Sequence, residues 1–299
     1  MTRRGESRPG HRKEALLALA LLLPNLILLA VWTYRPLVDN IRLSFFRWNL
    51  GSPNSTFIGL DNYVEWFTGS ASRTVLWNTI IFTGAAVIGS MVLGLALALL
   101  LDQKLIGRGG VRSLVFAPFV LSGAAVGVAF QFIFTPTFGL IPDILTTLGI
   151  APPNFYQSAG WALFMVTVTY VWKNLGYTFV IYLAALQARR KDLDEAAEID
   201  SASTWTRFAK VVWPQLRPAT FFLLITVMLN SFQVFDVIHT MTRGGPFGNG
   251  TTTMVYQVYQ ETFVNLRAGY GATVATIMFF ALLIVTLVQV WIMERGRER

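Results

Sequence analysis

The 299-residue chain has no cysteine and only two histidines. Disulfides, thiolate metal sites and a thiol nucleophile are therefore excluded, and the residues give no ground for a catalytic dyad or a transition-metal site. Charge is scarce too. Asp, Glu, Lys and Arg make up 13% of residues, against about 25% in soluble domains. The glycine-rich stretch with Gly107, Gly109 and Gly110 has no preceding strand and no following Gly-Lys-Ser/Thr, so it is not a phosphate-binding loop. No nucleotide signature occurs elsewhere, and any ATP must be hydrolysed by another polypeptide. After the first apolar run the flank is Trp32-Thr33-Tyr34-Arg35, which offers no small-residue cleavage site, so that run is expected to be a retained anchor.

What the chain has in abundance is apolar length. Hydrophobic residues form 54% of it. Six runs, at about 15–34, 75–101, 113–134, 161–186, 219–241 and 271–293, each approach the ~20 residues that a hydrocarbon core requires. The expected class is an all-α polytopic membrane protein with six transmembrane helices. A basic N-terminus (1–14), a transmembrane domain (15–293) and a short tail (294–299) divide it. The net charge of +8 does not point to nucleic acid, because the basic residues sit in short loops between apolar runs. Seventeen of the 24 fall on one side and six on the other, with Lys173 inside a span. That bias places both termini in the cytoplasm and the spans in contact with lipid.

Within the spans, Pro24 is expected to kink the first helix. The segment Pro36–Trp48 is amphipathic and suits the outer interface. Asp61 or Asn62 is positioned to cap a short helix. Gly84, Gly89, Gly94 and Ala98 mark the second span as a packing helix. The segments 135–160 and 242–270 read as ordered external loops on which a partner can rest.

The longest polar interruption, Gln187 to Pro218, carries Arg189, Arg190, Lys191, Arg207, Lys210 and Arg217. Asp192 and Glu195 have capping-box-like spacing, and Ala196, Ala197 and Ile199 form a short apolar face. Ser201 and Ser203 offer a break and a fresh N-cap, after which Trp205, Phe208, Ala209 and Val212 keep helical spacing until Pro214. On spacing alone the segment is either a docking knob or a tight corner joining two spans.

The run Glu195-Ala196-Ala197, Asp200, Ser201, Ala202, Val211 and Pro214 resembles the EAA loop of ABC-importer permeases. Ser201 stands where that family has Gly, and Trp213 where it has Leu. Gly59-Leu60-Asp61-Asn62-Tyr63 and the combination Phe235-Asp236, Thr242, Gly244-Gly245-Pro246 and Tyr256 resemble the carbohydrate-importer branch, which is MalF-like. Val171–Tyr177 and Thr251–Tyr256 look closest to the A-type permeases of sn-glycerol-3-phosphate import. The resemblance implies a type I (MetI-like) permease fold and a role in moving a carbohydrate, sn-glycerol-3-phosphate or a glycerophosphodiester. It further implies a second homologous permease, two ATP-binding subunits and an extracytoplasmic solute-binding protein. ATP and Mg would be bound on the ATPase and no cofactor on this chain. Glu195, Ala196, Ala197, Asp200, Ser201, Ala202 and Pro214 would form the coupling surface.

Polar residues inside spans are the candidates for cargo contact. Lys173, Asn174 and Tyr177 lie in the fourth run; Asn230, Gln233 and Asp236 follow at three-residue intervals in the fifth. A charge at mid-bilayer costs ~2.5–3.5 kcal/mol on insertion scales, so Lys173 and Asp236 should not face lipid. They either pair structurally or, with Asn230 and Gln233, border a watery path. Rival readings are a neutral-sugar permease, a self-sufficient secondary transporter using Asp236, and a membrane enzyme.

Overall fold

The computed structural model describes residues 10–103, 108–189, 203–247 and 249–297. Over these the chain is mostly helical. Helix α1 (Gly10–Leu29) runs through Pro24 without ending. A π-helical turn at Ala30–Tyr34 follows, and α2 (Arg35–Leu43) continues from it. In that turn the Arg35 N–H reaches back to Ala30 O. Pro36, one residue on, has no N–H to offer, and an i→i+5 turn accommodates the gap. The amphipathic segment as far as Leu43 thus continues the first span.

Strands β1 (Phe46–Arg47) and β2 (Thr56–Phe57) form an antiparallel hairpin with Phe46 opposite Phe57. Helix α3 (Asp61–Thr68) comes next, and here the capping expectation fails. The N-cap position is Leu60, with no side-chain cap bond. Buried Asn62 instead donates to Ser44 O and Phe46 O at 3.0 and 3.1 Å. Carbonyls inside the turn need a buried donor, and that demand takes the amide away from the helix end.

The centre of the molecule is the pair α4 (Ser70–Leu101) and α8 (Ala159–Gln187). Gly89 lies against Val171 and Gly94 against Thr178, whose hydroxyl donates to Ser90 O at 2.7 Å. Small residues let the two backbones come this close, as the sequence indicates. Gly84 faces open space and takes no part in the seam.

The third apolar run is two helices. Helix α5 (Arg108–Val120) and α6 (Gly123–Ile133) meet at 100°. Pro118 inside α5 lacks an N–H, and Ser122 is extended, so the ladder stops there. Helix α7 (Leu140–Thr147) lies in the following loop.

After the polar interruption, α9 (Thr204–Arg207) begins as expected, with the Thr206 N–H donating to Ser203 Oγ at 3.2 Å. It does not stop at Pro214. A π-helical turn at Phe208–Val212 leads straight into α10 (Trp213–Phe232), and the Trp213 N–H bonds Phe208 O. Pro214 falls in the first turn of α10, where a missing N–H costs little once the ladder has been re-registered. The polar segment therefore passes directly into the membrane helix. The fifth run breaks again at 233–235 before α11 (Asp236–Met241). Helix α12 (Met254–Tyr259), a π-helical turn (Gln260–Val264) and α13 (Ala268–Arg297) complete the chain.

Among the described residues four helices are long and apolar enough to cross a membrane: Leu17–Leu43, Ser70–Leu101, Thr204–Met241 and Ala268–Arg295. A fifth crossing is reached if the bent pair α5–α6 counts as one. Helix α8 is 29 residues long, about 43 Å at 1.5 Å per residue, but carries Lys173 and Asn174 near its middle. The apolar window of Leu17–Leu43 is 0% buried within this chain, so lipid or another subunit must cover it.

One end of the bundle gathers the basic residues. Arg189 pairs with Asp102 at 3.1 Å, and Arg112 donates to Leu101 O at 3.1 Å, tying the ends of α4, α5 and α8. Toward that end a core forms around Phe179, Tyr182, Leu216 and Leu223. Toward the other a separate core forms around Phe82, Met165, Val237 and Ile238.

Candidate cargo path and coupling surface

Lys173 sits between those two cores. Its side chain is half-buried, and Nζ lies 5.6 Å from the centroid of the Phe119 ring. Phe119, at the end of α5, stacks on Tyr177 at 5.1 Å, and the Tyr177 hydroxyl meets Thr226 Oγ1 on α10 at 3.1 Å. A cation, two rings and a hydroxyl pair thus connect α8, α5 and α10. An ammonium over a ring face is attracted by the ring quadrupole, more strongly as water is excluded. Among the described residues Lys173 forms no ion pair with a carboxylate, so the structural Lys173–Asp236 pair does not form.

The Tyr177–Thr226 bond also fixes depth. Helices α8 and α10 run antiparallel. Four residues back along α8 is Lys173, and four forward along α10 is Asn230. Both steps move about 6 Å away from the basic end and stay on the same helix face. Asn230 and Gln233 are exposed, so they are available to solvent or cargo at that level.

Two candidates go elsewhere. Asn174 is buried, and its amide donates to Tyr170 O, one turn back in its own helix, at 3.0 Å. Asp236 does not continue the face of Asn230 and Gln233, because α10 ends at Phe232 and the chain restarts in α11. Its carboxylate packs against Gly123 in the first turn of α6 and accepts from the Val237 N–H at 2.9 Å. One turn further along both helices, Gly127 lies against Thr240. Carboxylates are favourable near the positive end of a helix dipole, which is where Asp236 is held. Sequence reasoning missed Phe119, Thr226 and this α6–α11 seam. Gly123-x-x-x-Gly127 was the available signal for the last.

Of the residues expected to couple, Pro214 is described, and it lies in the first turn of α10. Glu195, Ala196, Ala197, Asp200, Ser201 and Ala202 lie outside the described residues. Asp102, Arg189, Trp205 and Arg207 line a cleft of about 700 Å³ among the described residues.

At the opposite end the loops are ordered. Thr242 and Thr251 hydroxyls meet at 2.6 Å, and Thr252 donates to Gly244 O at 3.1 Å. The Asn78 amide on α4 donates to Asn249 O at 2.7 Å, and the Met254 N–H donates to Thr79 Oγ1 at 3.0 Å. The loop 242–253 is thereby pinned to the start of α4. Nearby, Arg267 makes two bonds to Glu65, at 2.6 and 2.7 Å.

Residues 90–298 match the family described as binding-protein-dependent transport system inner membrane component. The chain belongs to this family. It is a multi-pass permease subunit of an ABC importer and works with a binding protein and a separate ATPase. The permease is 33% identical to the sulfoquinovosyl glycerol transport system permease protein SmoG of Agrobacterium fabrum, over 92% of this chain and 89% of that protein. It is 33% identical to the sn-glycerol-3-phosphate transport system permease protein UgpA of Escherichia coli, over 95% of both. Its fold is similar to that of a chain in a bacterial ABC transporter involved in import of the acidic polysaccharide alginate. The TM-score is 0.81 at 21% identity, over 95% of this chain and 96% of that one.

Proposed function

We propose that this permease imports a carbohydrate or polyol bearing an anionic group, and that Lys173 meets that group in transit. The observation that carries the reading is the Lys173 ammonium, between the two cores and held on the Phe119–Tyr177 stack without a carboxylate partner among the described residues. A buried-side cation left unneutralised by the protein is complementary to an anionic cargo, and the flanking rings suit an apolar sugar face. The names of SmoG and UgpA add support, since a sulfonate and a phosphate ester are both anions.

In this reading six segments cross the membrane, with α5–α6 and α8 supplying two, and both termini are cytoplasmic. The subunit pairs with a second, homologous permease, and the segment Glu195–Pro214 docks in a cleft on one of two ATPase subunits. ATP with Mg is bound there and not on this chain. Because α9 and α10 form one continuous rod from Thr204, displacement of that segment passes directly to the level of Thr226 and Asn230. Asn230 and Gln233 border the path opposite Lys173, and Tyr177 sets its wall.

Uptake by cells or proteoliposomes carrying the full importer tests this. Sn-glycerol-3-phosphate, a sulfonated glycoside and a neutral oligosaccharide are offered in competition. The reading requires that an anionic cargo wins and that Lys173→Gln removes the preference. A neutral cargo transported equally by wild type and variant contradicts it.

A further inference from the structure

The basic end of the bundle holds a groove that shares only Trp213 with the segment assigned to the ATPase. It lies between the start of α10 and the end of α13 and has a volume of about 340 Å³. Phe221, Leu224, Ile292 and Met293 form its walls, and Trp213 and Arg217 stand at its basic end. Farther from that end the two helices are tied, with Gln289 Nε2 donating to Met228 Sδ at 3.1 Å. That contact lies about one turn beyond Leu224 on α10 and Ile292 on α13, the groove residues farthest from the basic end.

Three features specify its occupant. The walls are apolar and continue into an exposed strip on α13, where Val288 is 48%, Trp291 52% and Ile292 60% exposed. Such a strip in a membrane helix is covered by acyl chains. The basic end carries Trp213 and exposed Arg217, and the last turns of α13 carry Arg295, whose guanidinium lies 3.9 Å from the Trp291 ring. Trp and Arg in this arrangement mark a membrane–water interface. No carboxylate lines the groove among the described residues, so nothing there neutralises Arg217.

We infer that this groove binds one anionic phospholipid, with its phosphate on Arg217 and an acyl chain between Phe221, Leu224, Ile292 and Met293. A guanidinium offers several N–H donors in a planar fork, which suits a phosphate diester, and the apolar walls take the chain. The occupied groove fills the gap between α10 and α13 where α10 enters the membrane. It is independent of which cargo is carried.

The test is native mass spectrometry of the detergent-purified importer, titrated with palmitoyl-oleoyl phosphatidylglycerol or with the phosphatidylcholine of the same chains. Subunit composition in the same spectra reports assembly. Wild type should retain phosphatidylglycerol about tenfold better than phosphatidylcholine, about 1.4 kcal/mol. Arg217→Gln should bring the ratio toward one, and Arg217→Lys should keep most of it. Leu224→Trp, which fills the groove, should weaken both lipids while leaving Arg217 in place. An assembled Arg217→Gln complex with an unchanged ratio overturns the inference. So does a Leu224→Trp complex that binds phosphatidylglycerol as wild type does. A groove occupied by a neighbouring subunit would produce both of these results.

Discussion

The Asp236 carboxylate lies against Gly123, at the first turn of α6, so closely that residue 123 has no room for a Cβ. The contact joins two helices that each follow a break in a membrane segment, α6 after Leu121–Ser122 and α11 after 233–235. Gly123→Ala should therefore destabilise the permease by about 1–3 kcal/mol, the usual cost of overpacking. In an Asp236→Ala background the same substitution should cost much less, because the carboxylate it meets is gone. Thermal denaturation of the four variants in one detergent measures the coupling, and purely additive effects would contradict it.

The register between α8 and α10 rests on Tyr177 and Thr226. Tyr177→Phe and Thr226→Val should each weaken the importer by about 1 kcal/mol, as expected for one hydrogen bond. The double variant should be no worse than either single one. The readout is the concentration of cargo giving half-maximal uptake. A doubled loss in the double variant would show that the two hydroxyls act separately.

The Arg267–Glu65 bridge is half-exposed, with side chains 40% and 51% exposed. Burial alone would lower the Arg267 pKa, but the hydrogen bond and charge of Glu65, with Glu261 behind it, outweigh burial and raise it. A raised pKa in the folded state means that this contribution is complete below the unfolded value and is lost only as pH rises through the folded one. Stability from this bridge should then be flat from neutrality to about pH 10, since Arg stays charged throughout. Glu65→Gln should change stability by less than about 1 kcal/mol, and less at high salt. A steep loss of stability between pH 7 and 9 that Glu65→Gln abolishes would contradict this account.

The proposed coupling surface makes its own demand. Glu195→Lys, or a bulky residue at Ala197, should leave the membrane helices folded and lower binding-protein-stimulated ATP hydrolysis about tenfold, within the range of 1–3 kcal/mol for coupling free energies. Basal hydrolysis by the ATPase should persist. Unchanged stimulation in an intact assembly would remove Glu195–Pro214 from the transmission.

Much of this architecture is written in hydropathy. Apolar runs and the side of the arginines mark the membrane helices, and small residues at Gly89 and Gly94 mark the seam of α4 with α8. What hydropathy does not record is backbone continuity. A run of apolar residues reads the same whether its ladder is intact or stops, so the breaks at Leu121–Ser122 and 233–235 were invisible to it. Pro214 misled in the opposite sense: Pro ends a regular α-helix, but a π-helical turn upstream had already shifted the ladder. Asn62 looked like a cap because local spacing says nothing of the carbonyls of Ser44 and Phe46, 18 and 16 residues away. Lys173, a cation in an apolar run, was legible at once. Its partner Phe119 was not, since only the fold brings α5 over α8.

That cation is the point at which the account is most exposed. Initial uptake of sn-glycerol-3-phosphate and of a neutral oligosaccharide, with ATP hydrolysis followed in the same proteoliposomes, compares wild type with Lys173→Gln and Lys173→Arg. Losing a charge-assisted contact of ~1.5–3 kcal/mol predicts a drop of about 10- to 100-fold in uptake of the anionic cargo for Lys173→Gln. Lys173→Arg should retain most of the uptake, and stimulated hydrolysis should stay near the wild-type level. Anionic uptake that is unchanged in Lys173→Gln would contradict the account.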